Sequence, residues 1–171
     1  YIGIQSRFEK QEIKKKYEFL GIVSGPEPQR SILEKGLILA LKDRKEKSVI
    51  ILGKPELNTT KQIGNLTIKS HLDAMSLNTV ISQSKLIICR SGYSTVMDLA
   101  KLDKKAILIP TPGQTEQEYL ANYYMSKNLA FTQNQKEFDL DLAIQKSKSF
   151  SGFTDSFKKP TDWNLLLNVF K

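Results

Sequence analysis

The sequence is poor in the side chains that do metal and redox chemistry: 171 residues hold one cysteine, Cys89, and one histidine, His71. A lone cysteine closes no internal disulfide, so a reducing cytoplasm is the expected compartment. One His and one Cys make no zinc site, and there is neither a G-x-S-x-G elbow nor a Cys/His pair. No metal and no cofactor is expected. No apolar run approaches the roughly 18 to 20 residues of a membrane span. The start, Tyr1-Ile2-Gly3-Ile4, reads as a strand followed at once by charges rather than as a signal peptide. There is no initiator methionine, which leads us to expect a piece of a larger protein. A P-loop, a G-x-G-x-x-G turn, internal repeats and low-complexity tracts are all missing.

What is present is ordinary globular composition, 40% hydrophobic and 26% charged, at the length of about one domain. The 26 Lys+Arg outnumber the 18 Asp+Glu, for a net charge of +8. That balance suits an acidic partner: a nucleotide, a nucleic acid or an anionic membrane face. The basic residues are scattered rather than striped with aromatics, so no specific nucleic-acid binding is expected.

Short apolar runs alternate with helical stretches. Strands are expected at Tyr17–Ser24, Ser48–Leu52, Leu66–Ser70, Lys85–Cys89 and Ala106–Ile109. Helices are expected at Arg30–Lys42, within Leu72–Ser82, at Thr95–Leu102, at Glu116–Asn128 and within Phe138–Lys146. A last one starts at Thr161, with Trp163, Leu166, Leu167 and Phe170 as its stripe. Phe8–Lys16 reads as a charged linker or helix, and Lys146–Lys158 as the most loop-like stretch. The alternation predicts an α/β fold: a Rossmann-like parallel sheet with helices on both faces. In such sheets ligands sit beyond the carboxyl ends of the strands, so the turns after them are where chemistry is sought.

Three turns stand out. Cys89-Arg90-Ser91-Gly92-Tyr93-Ser94-Thr95-Val96-Met97-Asp98 is strand, glycine turn and helix start, a place where backbone N–H groups converge on a phosphate. Asp98 has two readings: it accepts hydrogen bonds from a ribose diol, or it closes a Thr95-x-x-Asp98 capping box. Ser24-Gly25-Pro26-Glu27-Pro28-Gln29-Arg30 is a second strand-to-helix turn, in which two prolines remove N–H donors. Pro110 to Glu118 bunches Gln114, Gln117 and Glu118 on a Pro/Gly turn, which suits sugar hydroxyls or simply an acidic helix start. His71 alone reads as a surface residue before it reads as a base.

On Cys89-Arg90-Ser91-Gly92-Tyr93-Ser94-Thr95-Val96-Met97-Asp98-Leu99-Ala100, Ile109-Pro110 and Gln117-Glu118, the chain resembles the C-terminal domain of GT-B glycosyltransferases of family 28. Gly3-Ile4-Gln5-Ser6-Arg7 is similar to the family's interdomain segment. The resemblance implies residues 1–16 as linker or start of the domain and 17–171 as a donor-binding domain, with the acceptor-binding N-terminal domain lying outside this chain.

The resemblance further implies a UDP-sugar donor. Asp98 would meet the ribose; Ser94, Thr95 and the Arg90-Ser91-Gly92 turn would face the diphosphate, with Arg7 approaching it. Ser24 and Gly25 would stand at the first phosphate loop, His71 and Leu72 at the uracil edge, and Gln114, Gln117 and Glu118 at the sugar. It implies inverting, metal-independent transfer to a cell-envelope glycolipid or polysaccharide precursor, and the net positive charge then suits peripheral contact of the full enzyme with an anionic inner membrane leaflet. This piece alone would be inactive, because the family's proposed base lies in the other domain. The chain departs from the family at Ser24-Gly25-Pro26-Glu27, where a glycine-rich loop is usual, and at Glu118, where a second glutamine is usual. Four other readings remain: a UDP-sugar hydrolase, a 2-epimerase, a free-standing donor subunit, and a non-enzymatic basic α/β module whose binding is salt-sensitive and indifferent to the base.

Overall fold

A computed structural model describes residues 4–153. Seven strands form one sheet: β1 Tyr17–Ile22, β2 Ser48–Ile51, β3 Thr60–Ile63, β4 Leu66–Lys69, β5 Ser84–Cys89, β6 Lys105–Leu108 and β7 Phe131–Thr132. Their order across the sheet is β3-β4-β2-β1-β5-β6-β7. Every neighbouring pair is parallel except β3 with β4. The helices are α1 Gln29–Leu41, α2 Ala74–Gln83, α3 Tyr93–Lys101, α4 Thr115–Ser126 and α5 Leu140–Ser147.

The central strands are apolar throughout because both their faces are covered. Val49 and Ile51, Ile87 and Cys89, and Ala106 and Leu108 point to one side, against Ile81 of α2, Val96 and Leu99 of α3, and Tyr124 of α4. Ile50, Ile88 and Ile107 point to the other, against Leu33, Leu37 and Leu41 of α1 and Leu140 and Ala143 of α5. The expected doubly covered α/β sheet is therefore present, and each strand and helix expected from Tyr17 up to α5 lies within a few residues of its place; of the strand expected at Tyr1–Ile4, residues 1–3 lie outside the described residues.

The sheet is not wholly parallel. Thr60-Lys61-Gln62-Ile63 makes an antiparallel edge strand whose first three residues are exposed. Its polar, outward-facing run carries neither an apolar stretch nor alternation, so it left no signal in the sequence. On α4 the expected apolar face of Leu120, Tyr123, Tyr124 and Met125 is reduced to Leu120, part-buried against the core, and Tyr124, buried beside Ala121; Tyr123 and Met125 are exposed. Phe8 is no linker residue in its packing, since it is 2% exposed within the core of the α2–α4 face. The segment around it has no regular structure. It is tied down by the Asn78 amide donating to the Glu9 carbonyl (3.0 Å) and by the Lys16 N–H donating to the Gln83 carbonyl (2.8 Å). The helix expected from Thr161 lies outside the described residues.

Candidate functional site

Each parallel strand delivers its chain to the same edge of the sheet, and there the loops after β1, β5 and β6 are tied together by one side chain. Arg90, immediately after β5, is 1% exposed. Its Nη1 donates to the carbonyls of Ile109 (3.1 Å) and Pro110 (3.2 Å), its Nη2 to the Gln29 carbonyl (2.9 Å) and to Gln135 Oε1, and its Nε to the Ser24 carbonyl (3.5 Å). Burial lowers its pKa to about 10, so it stays cationic at neutral pH. The guanidinium sits beneath the loops with its donors occupied. Ser91 is fully buried beside it, its hydroxyl donating to the Gln117 carbonyl at 2.7 Å. These two residues build the floor of the site rather than its surface.

Above that floor, α3 begins at Gly92 with no side-chain cap. The Thr95-x-x-Asp98 capping box does not form. Tyr93 is already the first helical residue, which places Thr95 third and Asp98 sixth, too far along for a cap. The N–H groups of the first turn thus point outward, with the positive end of the helix dipole behind them. A Cβ on Gly92 would meet nothing within 4 Å, and its φ of −67° is open to any residue. Neither backbone conformation nor packing requires glycine there, and the effect of having it is clear space over the helix end.

Asp98, freed from capping, is part-buried and accepts a hydrogen bond from the Ser6 hydroxyl at 2.6 Å. Burial raises its pKa above the ordinary 3.8, while the Ser6 bond and the nearby Arg7 cation pull it back down. Arg7 and Asp98 therefore stand together, brought there by the segment that also buries Phe8. Ser94 is exposed and Thr95 part-buried on the same first turns of α3.

Gln114, Gln117 and Glu118 fold back onto their own turn. Gln117 Oε1 accepts from the Thr111 N–H (2.9 Å), Gln117 Nε2 donates to Gln114 Oε1, and Glu118 Oε1 accepts from the Gly113 N–H (2.9 Å). Helix α4 also starts without a side-chain cap, at Gln114. Ser24 and Gly25 are exposed at the loop after β1. Gly25 has φ of 103°, and a Cβ there would stand 3.4 Å from Thr111 Oγ1. That Thr111 hydroxyl is buried and makes no hydrogen bond. Glu27 is engaged with Arg30 (2.9 Å) and with the Ser31 N–H (3.2 Å).

His71 is exposed after β4, and Leu72 packs against the core. β4 stands three strand spacings from β5, about 14 Å to the side, so these two residues are outside the cluster that Arg90 joins. Sequence reasoning did not single out Ser6, Thr111 or Gln135. Ser6 and Gln135 reach their partners across 92 and 45 residues, and no local pattern announces such contacts. Among the described residues no group of His, Cys, Asp or Glu could hold a metal ion, and no helix is long and apolar enough to cross a membrane.

Residues 29–158 match the model of the glycosyltransferase family 28 C-terminal domain. The chain belongs to this family. A curated relative, a UDP-N-acetylglucosamine--N-acetylmuramyl-(pentapeptide) pyrophosphoryl-undecaprenol N-acetylglucosamine transferase from Sulfurihydrogenibium sp. (strain YO3AOP1), is 25% identical over 138 residues. That match takes in 81% of this chain and 38% of the relative. The structure is similar to that of Acinetobacter baumannii MurG, with a TM-score of 0.56 at 22% identity, covering 81% of this chain and 44% of MurG. It is also similar to the spinosyn rhamnosyltransferase SpnG complexed with thymidine diphosphate, with a TM-score of 0.57 at 14% identity, covering 83% of this chain and 40% of that one. The family rests on the match over residues 29–158, and the structural likenesses show the fold of GT-B glycosyltransferases. The chain spans less than half the length of each of these relatives.

Proposed function

We propose that this family 28 domain binds the nucleotide-sugar donor, a UDP-sugar, of an inverting, metal-independent glycosyltransferase. The acceptor is a cell-envelope glycolipid or polysaccharide precursor, held by a second domain that supplies the base. The enzyme works in the cytoplasm against the inner membrane face. The observation that carries the reading is the α3 start: an uncapped helix N-terminus with open space at Gly92, and Asp98 one turn on, not used as a cap.

In this reading the diphosphate accepts hydrogen bonds from the N–H groups of the first turn of α3, with the Ser94 and Thr95 hydroxyls beside them. The Asp98 carboxylate accepts from the ribose hydroxyls, for which Ser6 is the present stand-in donor. Arg7, beside Asp98, adds a cation toward the phosphates. His71 and Leu72 border the uracil, reached by laying the nucleoside across the sheet edge toward β4. Gln117 and Glu118 turn toward the sugar, exchanging their bonds to the Thr111–Gln114 turn for sugar hydroxyls.

When the glycosidic bond breaks, negative charge accumulates on the leaving diphosphate. Donors already fixed in place stabilise it without reorganising. Arg90 is the positioning residue that holds these loops in register. A relative's printed name specifies UDP-N-acetylglucosamine as donor, which makes it the first sugar nucleotide to try.

Calorimetric titration with UDP, ADP and GDP at two salt concentrations tests the proposal. Saturable binding preferring UDP and little changed by salt is the expected result. Equal, salt-sensitive binding of all three would replace it with the basic-module reading.

A further inference from the structure

The opposite edge of the sheet, where β1, β5 and β6 begin, carries a feature that the donor site does not use. A cavity of about 430 Å³ opens there, and its lining includes Lys10, Lys15, Lys85, Lys104 and Lys105, with Asp103 as the one carboxylate. Lys104 is 5% exposed. Its ammonium donates to the carbonyls of Ser82 (2.9 Å) and Ser84 (3.1 Å), and Lys15 donates to the same Ser82 carbonyl at 2.7 Å. Two cations thus share one neutral acceptor. Asp103 is paired with Lys10 at 2.5 Å, and Lys85 with Glu18 at 2.8 Å.

Carbonyl oxygens satisfy hydrogen bonds but cancel no charge, so the repulsion between Lys15 and Lys104 is offset only in part, by the Asp103 carboxylate that Lys10 also engages. Burial, and after it the Lys15 cation, hold the Lys104 pKa down to about 7. An arrangement this unfavourable by itself becomes favourable once a compact anion accepts from both ammonium groups.

We propose that this cleft binds a phosphoryl anion, with Lys15 and Lys104 as its principal ligands and Lys105 at its mouth. A multiply charged tetrahedral group can accept from several lysines at once, and lysines serve as point-charge phosphate ligands. The strands place the cleft about 20 Å from the α3 N-terminus, so its ligand does not compete with the donor. The phosphoryl group belongs either to a free anion or to the headgroup of an anionic lipid.

The test is titration calorimetry with inorganic pyrophosphate, together with co-sedimentation on phosphatidylcholine vesicles with and without phosphatidylglycerol. It is run on the intact protein and on its Lys104→Met and Lys15→Gln variants. The expected result is binding that each substitution weakens about tenfold or more. At pH 8 binding takes up a proton as Lys104 becomes fully charged, and this uptake is absent in Lys104→Met. Pyrophosphate binding identifies a free anion; dependence on the two lysines seen only on anionic vesicles identifies a headgroup. Lys15 is exposed, so Lys15→Gln keeps the test decisive if Lys104→Met does not fold. No binding to either probe, or binding indifferent to both substitutions, overturns the proposal. None of these outcomes depends on UDP.

Discussion

Helices α2 and α5 begin differently from α3 and α4, and under the proposed function the difference separates stability from donor binding within one sheet edge. Asp73 caps α2, accepting from the Ser76 N–H at 2.8 Å, and Asp139 caps α5, accepting from the Leu142 N–H at 3.0 Å. Both are the arrangement that helices prefer, worth about 1 kcal/mol each. Helices α3 and α4 start at Gly92 and Gln114 with no side-chain cap. Both follow the strands whose loops Arg90 clamps, and at both the first-turn N–H groups have no capping side chain.

The contrast can be broken first at its foundation. Arg90→Met removes the donors for four backbone carbonyls and Gln135 in a buried place. It should cost about 3 kcal/mol or more in urea denaturation and disorder the first, fifth and sixth strand loops relative to one another. A loss under about 1 kcal/mol would mean that the clamp is not what holds them.

A substitution at Gly92 sharpens the comparison directly. Gly92→Asp gives α3 the cap that α2 and α5 have, so the fold should be unchanged or steadier by a few tenths of a kcal/mol. The same carboxylate would occupy and charge the phosphate position, and UDP affinity should fall about tenfold or more. Retained UDP binding in this variant would show that the open helix end is not the diphosphate site.

Acidification is a milder probe of the same region. Burial raises the Asp98 pKa in the folded chain, so the folded state keeps that proton to higher pH than the unfolded state. A proton on Asp98 removes the acceptor for ribose hydroxyls. UDP affinity should therefore decline as pH falls through the raised pKa, and Asp98→Ala should flatten that part of the profile.

The smallest effect belongs to the capped helices. Asp139→Ala should lower stability by about 1 kcal/mol and leave UDP affinity where it was.

What the sequence disclosed of this edge follows from what each pattern encodes. Strands β2, β5 and β6 were legible because burial on both faces writes an unbroken apolar run, and their parallel order pointed to the loops at their carboxyl ends as the place of the proposed site. Edge strand β3 was not legible, because the exposed Thr60-Lys61-Gln62 has no burial to record. The Thr95-x-x-Asp98 spacing matched a capping box, but the helix starts three residues earlier than that box needs, a shift that propensity does not resolve. Arg90 was visible as a member of the motif, and its burial under three loops was not, since its partners lie 19 to 66 residues away. Phe8 was hidden for a related reason: a single aromatic in a charged run carries no period.

The most direct test is calorimetric titration of UDP into the protein and its Asp98→Ala variant, with folding of the variant verified by its unfolding curve. Removing a carboxylate that holds the ribose should cost about 1.5 to 3 kcal/mol of binding, a loss of about 10- to 100-fold, while stability falls by only about 1 kcal/mol, for the lost Ser6 bond, because Asp98 caps no helix. A folded variant that binds UDP as tightly as the parent would contradict the account.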